Sequence, residues 1–206
     1  MENFIITIER GFGSKGKKIG KRLAHDFGIE FFEDSIAKRA SEDSGINLDV
    51  FLKMEKTPRN GSVSRKLDFL YSGEIADYGF HMLSTENLYN HEAKVLRDYA
   101  ANNSMIVMGL TGNMIFRDFP NALRINIQAT DEAAVKEIKE YYGVNGVAAV
   151  ALINEKNKFR RDFYKYFTGE DWLDGRFYDY VINTSNMTVD QCVHIIKMLL
   201  EEKLGR

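Results

Sequence analysis

The chain has 206 residues, 44% of them hydrophobic and 28% charged, with a formal net charge of −2. That is enough apolar material for one filled core, and the near-neutral balance argues against a broad nucleic-acid surface, whose signature is a strong excess of Lys and Arg. The lone cysteine, Cys192, excludes an intrachain disulfide and a cysteine-based zinc site; with no long apolar span and no signal-peptide pattern in MENFIITIER, the expected setting is cytoplasmic, without a membrane partner.

Phe4–Ile8 is a compact β-branched run suited to a buried parallel strand. A glycine-rich turn follows. From Gly16 to Phe27 the spacing is helical: Ile19, Leu23, Ala24 and Phe27 share one face and Gly28 stops it. Ile29–Phe32 reads as a second strand, Ser35–Ala40 as a helix ending by Gly45, and Asp49–Met54 as another helical piece. Residues 55–66, EKTPRNGSVSRK, are polar with Pro58 and Gly61 and read as a loop; residues 67–83 are aromatic-rich and ambiguous. Ser84 opens a helix supported by Leu88, Ala93, Val95, Leu96 and Tyr99. Met105–Met108 and Ala122–Ala129 are the third and fourth strands, with GLTGN after the third. Asp131–Tyr142 is helical with Asp131 as the expected N-cap, and Val147–Phe167 is a long, very basic helix or pair of helices. Tyr180–Asn183 is the fifth strand, and Thr188 caps a last helix to about Lys203.

Strands thus alternate with helices from end to end. This predicts an α/β fold with a five-stranded parallel sheet covered by helices on both faces, in a single domain over 1–206. Residues of about 45–90 look like helical material inserted between the second and third strands. No internal repeat or low-complexity tract interrupts the chain.

The stretch GFGSKGKK satisfies two phosphate-binding patterns. Gly11, Gly13 and Gly16 form G-x-G-x-x-G, the dinucleotide fingerprint; Gly11, Gly16 and Lys17 form G-x-x-x-x-G-K, most of a P-loop. In the dinucleotide reading, Glu33 or Asp34 stands about where an acid would bind the ribose. Against it, only five strands are counted, and Lys17 follows the last glycine directly. In the P-loop reading, backbone N–H groups of Gly13, Ser14, Lys15, Gly16 and Lys17 cradle phosphates at a helix N-terminus, and Lys17 reaches the outer phosphates. The Ser or Thr that would ligate Mg²⁺ is missing, because position 18 is Lys18, a cation with no acceptor. A purely structural glycine-rich turn is the bland alternative.

IITIERGFGSKGKKIGKRLAHDFGIEFFED resembles the start of the cytidylate kinase-like family of P-loop kinases. EAKVLRDYAANNSMIVMGLTGNMIFRDFPNALRINIQA is similar to that family's third and fourth strands with the joining helix, and RRDFYKYFTGEDWLDGRFYDYVINTSNMTVDQCVHII to its lid, fifth strand and last helix. The resemblance spans most of the chain and is weakest over 45–83. It implies a P-loop three-layer fold with a substrate-binding insert at about 45–90 and an arginine-bearing lid at about 150–172. It also implies γ-phosphoryl transfer from ATP, with Mg²⁺, to a nucleoside monophosphate such as CMP. Since the family often lacks the loop Ser or Thr, Lys18 becomes a tolerated variant that remains part of the loop.

The resemblance assigns roles residue by residue. Arg160 matches the lid arginine best, and a closing lid would bring Arg160 or Arg161 onto the phosphates; a solvated basic helix face is the bland reading. Glu33 takes the substrate-contacting acid position, and Asp34 could substitute; helix N-terminal acids are the alternative. Asn113 matches the family pattern, with helix capping as its ordinary role. Three departures count against activity. Leu110 stands where the family typically has arginine. No arginine occurs at about Ala134 or Val135. Asn157 replaces an acid three residues before the lid arginine. Compensating cations would come from Arg59, Arg65 or Lys66 in the insert. The departures motivate a second hypothesis, a nucleotide-binding regulatory or interaction module with little turnover; a dinucleotide-binding domain is third. His25, His81, His91 and His194 show no metal spacing, and Cys192 reads as core. Trp172 and the tyrosines at 164, 166, 178 and 180 read as packing more than as base-stacking groups, whereas the cluster of Phe69, Tyr71, Tyr78 and Phe80 could line a base pocket or a subunit contact. Substrate base and oligomeric state stay open.

Overall fold

In the computed structural model, residues 3–33, 35–56 and 83–205 are described. The expected loop after residue 56 and the aromatic segment lie outside them, and with them Arg59, Arg65, Lys66, Phe69, Tyr71, Tyr78, Phe80 and His81, as does Asp34. Strands β1 (Ile5–Arg10), β2 (Glu30–Phe32), β3 (Met105–Met108), β4 (Ala122–Gln128) and β5 (Tyr180–Asn183) form one sheet in the order β2-β3-β1-β4-β5. Each strand runs parallel to its neighbours. β3 therefore separates β2 from β1. In the dinucleotide-binding arrangement the second strand flanks the first, so the strand order overturns that reading of the glycine loop.

The two faces of β1 show why the sheet needs cover on both sides. Ile6 and Ile8 pack with Ile19, Leu23, Cys192, Val193, Ile196 and Leu200 under helices α1 (Gly16–Phe27) and α8 (Val189–Lys203). Ile5, on the other face, packs with Tyr89, Ala93 and Leu96 of α4 (Thr85–Ala100), Ile115 of α5 (Gly112–Ile115) and Phe167 near the end of α7 (Gly146–Thr168). Period-2 alternation of apolar side chains on both faces is what a fully covered parallel strand requires. α2 (Ile36–Ser44) and α3 (Leu48–Lys56) form a satellite cluster with α4 through Ala37, Ala40, Phe51 and Leu88. The described part of the expected insert is accordingly helical. Cys192 is buried in the core as expected.

Three boundaries differ from the sequence expectation in ways that matter. β1 continues two residues past Ile8, because Glu9 and Arg10 pair with Asn126 and Ile127 of β4; strand pairing overrides the fall in apolar content. The N-cap of α6 (Asp131–Tyr142) is Thr130, whose side chain accepts from the Ala133 N–H, and Asp131 is the first helical residue, where its charge suits the helix dipole. α7 is one 23-residue helix capped by Asn145, not a pair.

Candidate active site

At the C-terminal edge of the sheet, β1 hands Gly11–Lys15 to the N-terminus of α1. Lys15 is the N-cap in a left-handed conformation (φ 63°) with no side-chain cap. The first-turn N–H groups of α1 have no intrahelical partner by construction, and they face the loop at the positive end of the helix. Gly13 has φ +86°, and a Cβ there would lie 2.8 Å from the Ala134 carbonyl oxygen, so this position needs glycine for both conformation and space. The Ser14 hydroxyl is buried and donates to the Gly11 carbonyl at 2.8 Å. Thr184 Oγ1 donates to the Ser14 carbonyl at 2.9 Å, and Lys15 Nζ donates to the Met187 and Thr184 carbonyls at 2.9 and 3.3 Å. Side chains thus brace the loop from the β5–α8 connection and leave its backbone N–H groups as the donors at the start of α1.

The two lysines diverge. Lys17 Nζ sits 2.5 Å from Glu33 Oε2 at the end of β2. Lys18 turns outward to Glu137 of α6, at 2.6 Å, over the Tyr141 ring. Of the loop residues expected to bind phosphate, Lys15 and Lys18 therefore offer backbone rather than ammonium groups in this conformation. The donor set fits the phosphates of a nucleotide. It does not furnish a metal ligand: the Ser14 hydroxyl faces Gly11, Lys18 has no acceptor, and among the described residues no cluster of three His, Cys, Asp or Glu side chains could hold a metal.

Glu33 also holds Arg10, whose Nη2 donates to Oε1 at 3.2 Å. The Arg10 guanidinium lies across Gly109, where any Cβ would collide with Nη1. Gly109, Leu110 and Thr111 form a left-handed turn with φ values of 74°, 55° and 51°. That conformation is costly for a β-branched residue and typical of functional edges. Leu110, at the expected arginine position, packs on the α4–α5 side of the core. Thr111, the N-cap of α5, has its hydroxyl hydrogen-bonded with that of Tyr89. Asn113 is buried one residue inside α5, so it does not cap the helix. Its Nδ2 donates to Tyr164 Oη of α7 at 2.9 Å and to the Phe177 carbonyl at 3.2 Å. Trp172, Tyr164 and Tyr178 are buried as packing groups, and Tyr178 Oη donates to the Trp172 carbonyl at 2.7 Å.

Between these groups lies Glu9, 5% exposed, with Oε1 lacking a hydrogen-bond partner among the described residues. Burial pushes its carboxyl up to about 7, although Arg10, Arg160 and the Thr111 N–H all favour the charged form.

α7 crosses this edge. Arg160 Nη1 donates to the Arg10 carbonyl at 3.2 Å, and its guanidinium stands 5.4 Å from the centre of the Phe12 ring. Burial, helped by the Arg10 charge, lowers Arg160 to about 9, which leaves it cationic at neutral pH. One helical turn earlier, Asn157 Oδ1 accepts the Phe12 N–H at 2.7 Å. Arg161 is exposed and borders a cleft of about 300 Å³ floored by Gly11 and Phe12. The structure thus brings together Gly11–Lys17, Glu33, Arg160 and Arg161, and places Asn113 behind them as a tether. Glu9, Arg10 and the Asn157 contact were missed by sequence reasoning. The available signal was a charged pair inside an otherwise apolar parallel strand, directly before the loop.

Comparison with known proteins agrees with this architecture. The chain is 25% identical over 205 residues to a cytidylate kinase of Methanopyrus kandleri, covering 98% of this chain and 95% of that protein. It is 23% identical over 194 residues to an S-adenosylmethionine-dependent nucleotide dehydratase of Lacinutrix mariniflava; this covers 93% of the chain but only 34% of that longer protein. Among solved structures, an uncharacterized protein from Eubacterium ventriosum superposes with a TM-score of 0.71 at 19% identity, covering 97% of this chain and 99% of that one. A shikimate kinase from Bacteroides thetaiotaomicron superposes with a TM-score of 0.52 at 12% identity, covering 96% and 98%. The fold is that of the P-loop kinases, and a match over residues 5–186 shows that the chain belongs to the cytidylate kinase-like family.

Proposed function

We propose that the protein transfers the γ-phosphoryl group of ATP, taken as its Mg²⁺ complex, to a nucleoside monophosphate, with a CMP-like nucleotide as the acceptor. The observation that carries this reading is the meeting of α7 with the phosphate loop. Arg160, 150 residues beyond Arg10 in sequence, is bonded to the strand end that launches the loop. Phosphoryl transfer demands little covalent chemistry from a protein; it demands alignment and neutralisation of charge spread over the moving group. Gly13–Lys17 would hold the donor phosphates through backbone N–H groups, with Lys17 supplying charge. Arg160 and Arg161 would close over the transferred group from α7, acting as a lid. Glu33 and Asp34 would face the acceptor. An acceptor that is itself an anionic phosphate needs no general base.

Leu110 favours one second reading, since it removes a cation from the acceptor side: a protein that binds nucleotide with little turnover and regulates or recruits a partner. Incubation with ATP, Mg²⁺ and a panel of nucleoside monophosphates, assayed for ADP, tests the proposal. Turnover with a pyrimidine monophosphate is expected. ATP binding without turnover of any acceptor would replace the first reading by the second.

A further inference from the structure

Leu110 offers no charge to the acceptor side, yet a guanidinium lies against the residue before it. Arg10 leaves the end of β1 and runs across two glycines. A Cβ on Gly16, the first residue of α1, would lie 2.8 Å from Arg10 Cβ and 3.0 Å from its Cγ. A Cβ on Gly109, just past β3, would collide with Arg10 Nη1. Both positions are clear for the arginine, whose stem crosses the start of the loop helix and whose head ends beside β3. Its side chain is 13% exposed, and among the described residues Glu33 Oε1 is the sole acceptor bonded to its guanidinium. A guanidinium has five N–H donors, so most of the fork is unused. Glu33 is itself shared with Lys17. Arg160 stands near enough for the Arg10 charge to disfavour its own, and it makes no ion pair among the described residues. Like charges crowded at one edge of the sheet are relieved by an anion.

We propose that Arg10 is an acceptor-binding residue: its guanidinium holds the phosphate group of the nucleoside monophosphate beside Gly109 and Glu33. This rests on the phosphotransferase reading above. The placement separates the two substrates. The donor phosphates take the first-turn N–H groups of α1. The Arg10 head lies on the β3 side of β1, opposite β4 and the cleft that Gln128 and Ala129 border. A guanidinium suits a phosphate monoester, because two parallel N–H groups meet two oxygens at once. The anion takes donors that Glu33 leaves unused, so the Arg10–Glu33 pair stays closed when the acceptor binds.

Two variants test this. Arg10→Met keeps an unbranched stem across Gly16 and removes the charged fork, whereas Arg10→Lys keeps the charge and loses the fork. With ATP saturating, Met should raise KM for the monophosphate by about 10- to 100-fold, the usual effect of one hydrogen bond to a charged group. KM for ATP and the thermal melt should stay close to wild type. If KM for the monophosphate stays within about threefold of wild type, or if KM for ATP rises by the same factor, Arg10 only braces the loop and the proposal falls. Should Met fail to fold, Lys decides: a rise of about fivefold for the monophosphate alone supports the proposal, and no rise overturns it. If the wild-type protein turns over no monophosphate, the kinase reading fails separately and orthophosphate becomes the probe. Titrated with a saturating non-hydrolysable ATP analogue present and followed by phosphorus NMR line broadening, it should bind Arg10→Met about tenfold more weakly than wild type. Equal binding, or none by wild type, overturns the proposal.

Discussion

The two sides of the phosphate loop are built differently. On the β2 side, Glu33 lies against both Lys17 and Arg10, so the loop's principal cation is matched by a carboxylate before any ligand arrives. On the α7 side, a neutral amide and a guanidinium hold backbone atoms, through Phe12 and Arg10, and Arg161 borders an open cleft. One side stores charge in an ion pair that a polyphosphate must open. The other keeps its donors attached to the frame and ready. Under the proposed function, the difference would let a loop without the usual hydroxyl at position 18 hold an anion. Charge would come from Lys17 on its release from Glu33, and alignment from backbone groups that α7 and the β5–α8 connection already hold in place.

The largest expected effect is on the ion-paired side. Lys17→Ala removes the cation meant for the outer phosphates, and kcat/KM for ATP should fall by about 10³-fold, with a weaker but still measurable ATP affinity in titration calorimetry. Unchanged values for both would show that the phosphate assignment of this loop is wrong.

A second effect belongs to the α7 side and is read as stability against pH. The carboxyl of Glu9 is raised from 4.5 to about 7 by burial, so the folded protein binds its proton more tightly than the unfolded chain does. Its stabilising contribution is complete below about pH 4.5 and is lost as the pH rises through about 7. The Glu9→Gln variant keeps the shape and never ionises. It should be more stable than wild type at pH 8, by an amount on the order of 1–3 kcal/mol, with the gap closing toward pH 5. Urea denaturation at both pH values measures this. A pH-independent difference would mean that Glu9 does not titrate in this range.

Most of the fold was legible because its signals are local. β3 and β5 begin and end where their apolar runs put them, α1 stops at Gly28, and Thr188 caps the last helix as its sequence suggests. The site was legible only where a motif is continuous in sequence, as in Gly11–Lys17. Glu9 and Arg10 were passed over because their meaning depends on β4, more than 110 residues later, extending the strand beneath them. Asn157 stands where the resemblance expects an acid, and its bond to the Phe12 N–H, 145 residues away in sequence, could not be read from spacing. Lys18 read as part of the phosphate loop because adjacency along the chain does not reveal that the first turn of α1 aims successive side chains at β2 and at α6.

The smallest expected effect is the most direct probe of the difference between the two sides. If Glu33 restrains Lys17, then Glu33→Gln should tighten ATP binding, because the nucleotide no longer has to break an ion pair to reach the ammonium group. Lys17 is half-exposed, so the pair is well screened and its strength is that of a surface salt bridge, below about 1 kcal/mol. The gain should therefore be about two- to fivefold in affinity. A contribution of Glu33 to the acceptor would appear separately, as a higher KM for the monophosphate in the same variant. The decisive comparison is the double variant. On a Lys17→Ala background, Glu33→Gln should leave ATP affinity unchanged, since the interaction it relieves is already gone. A gain of the same size in both backgrounds would instead assign the effect to the net charge of the site or to Arg10, the other cation that Glu33 holds.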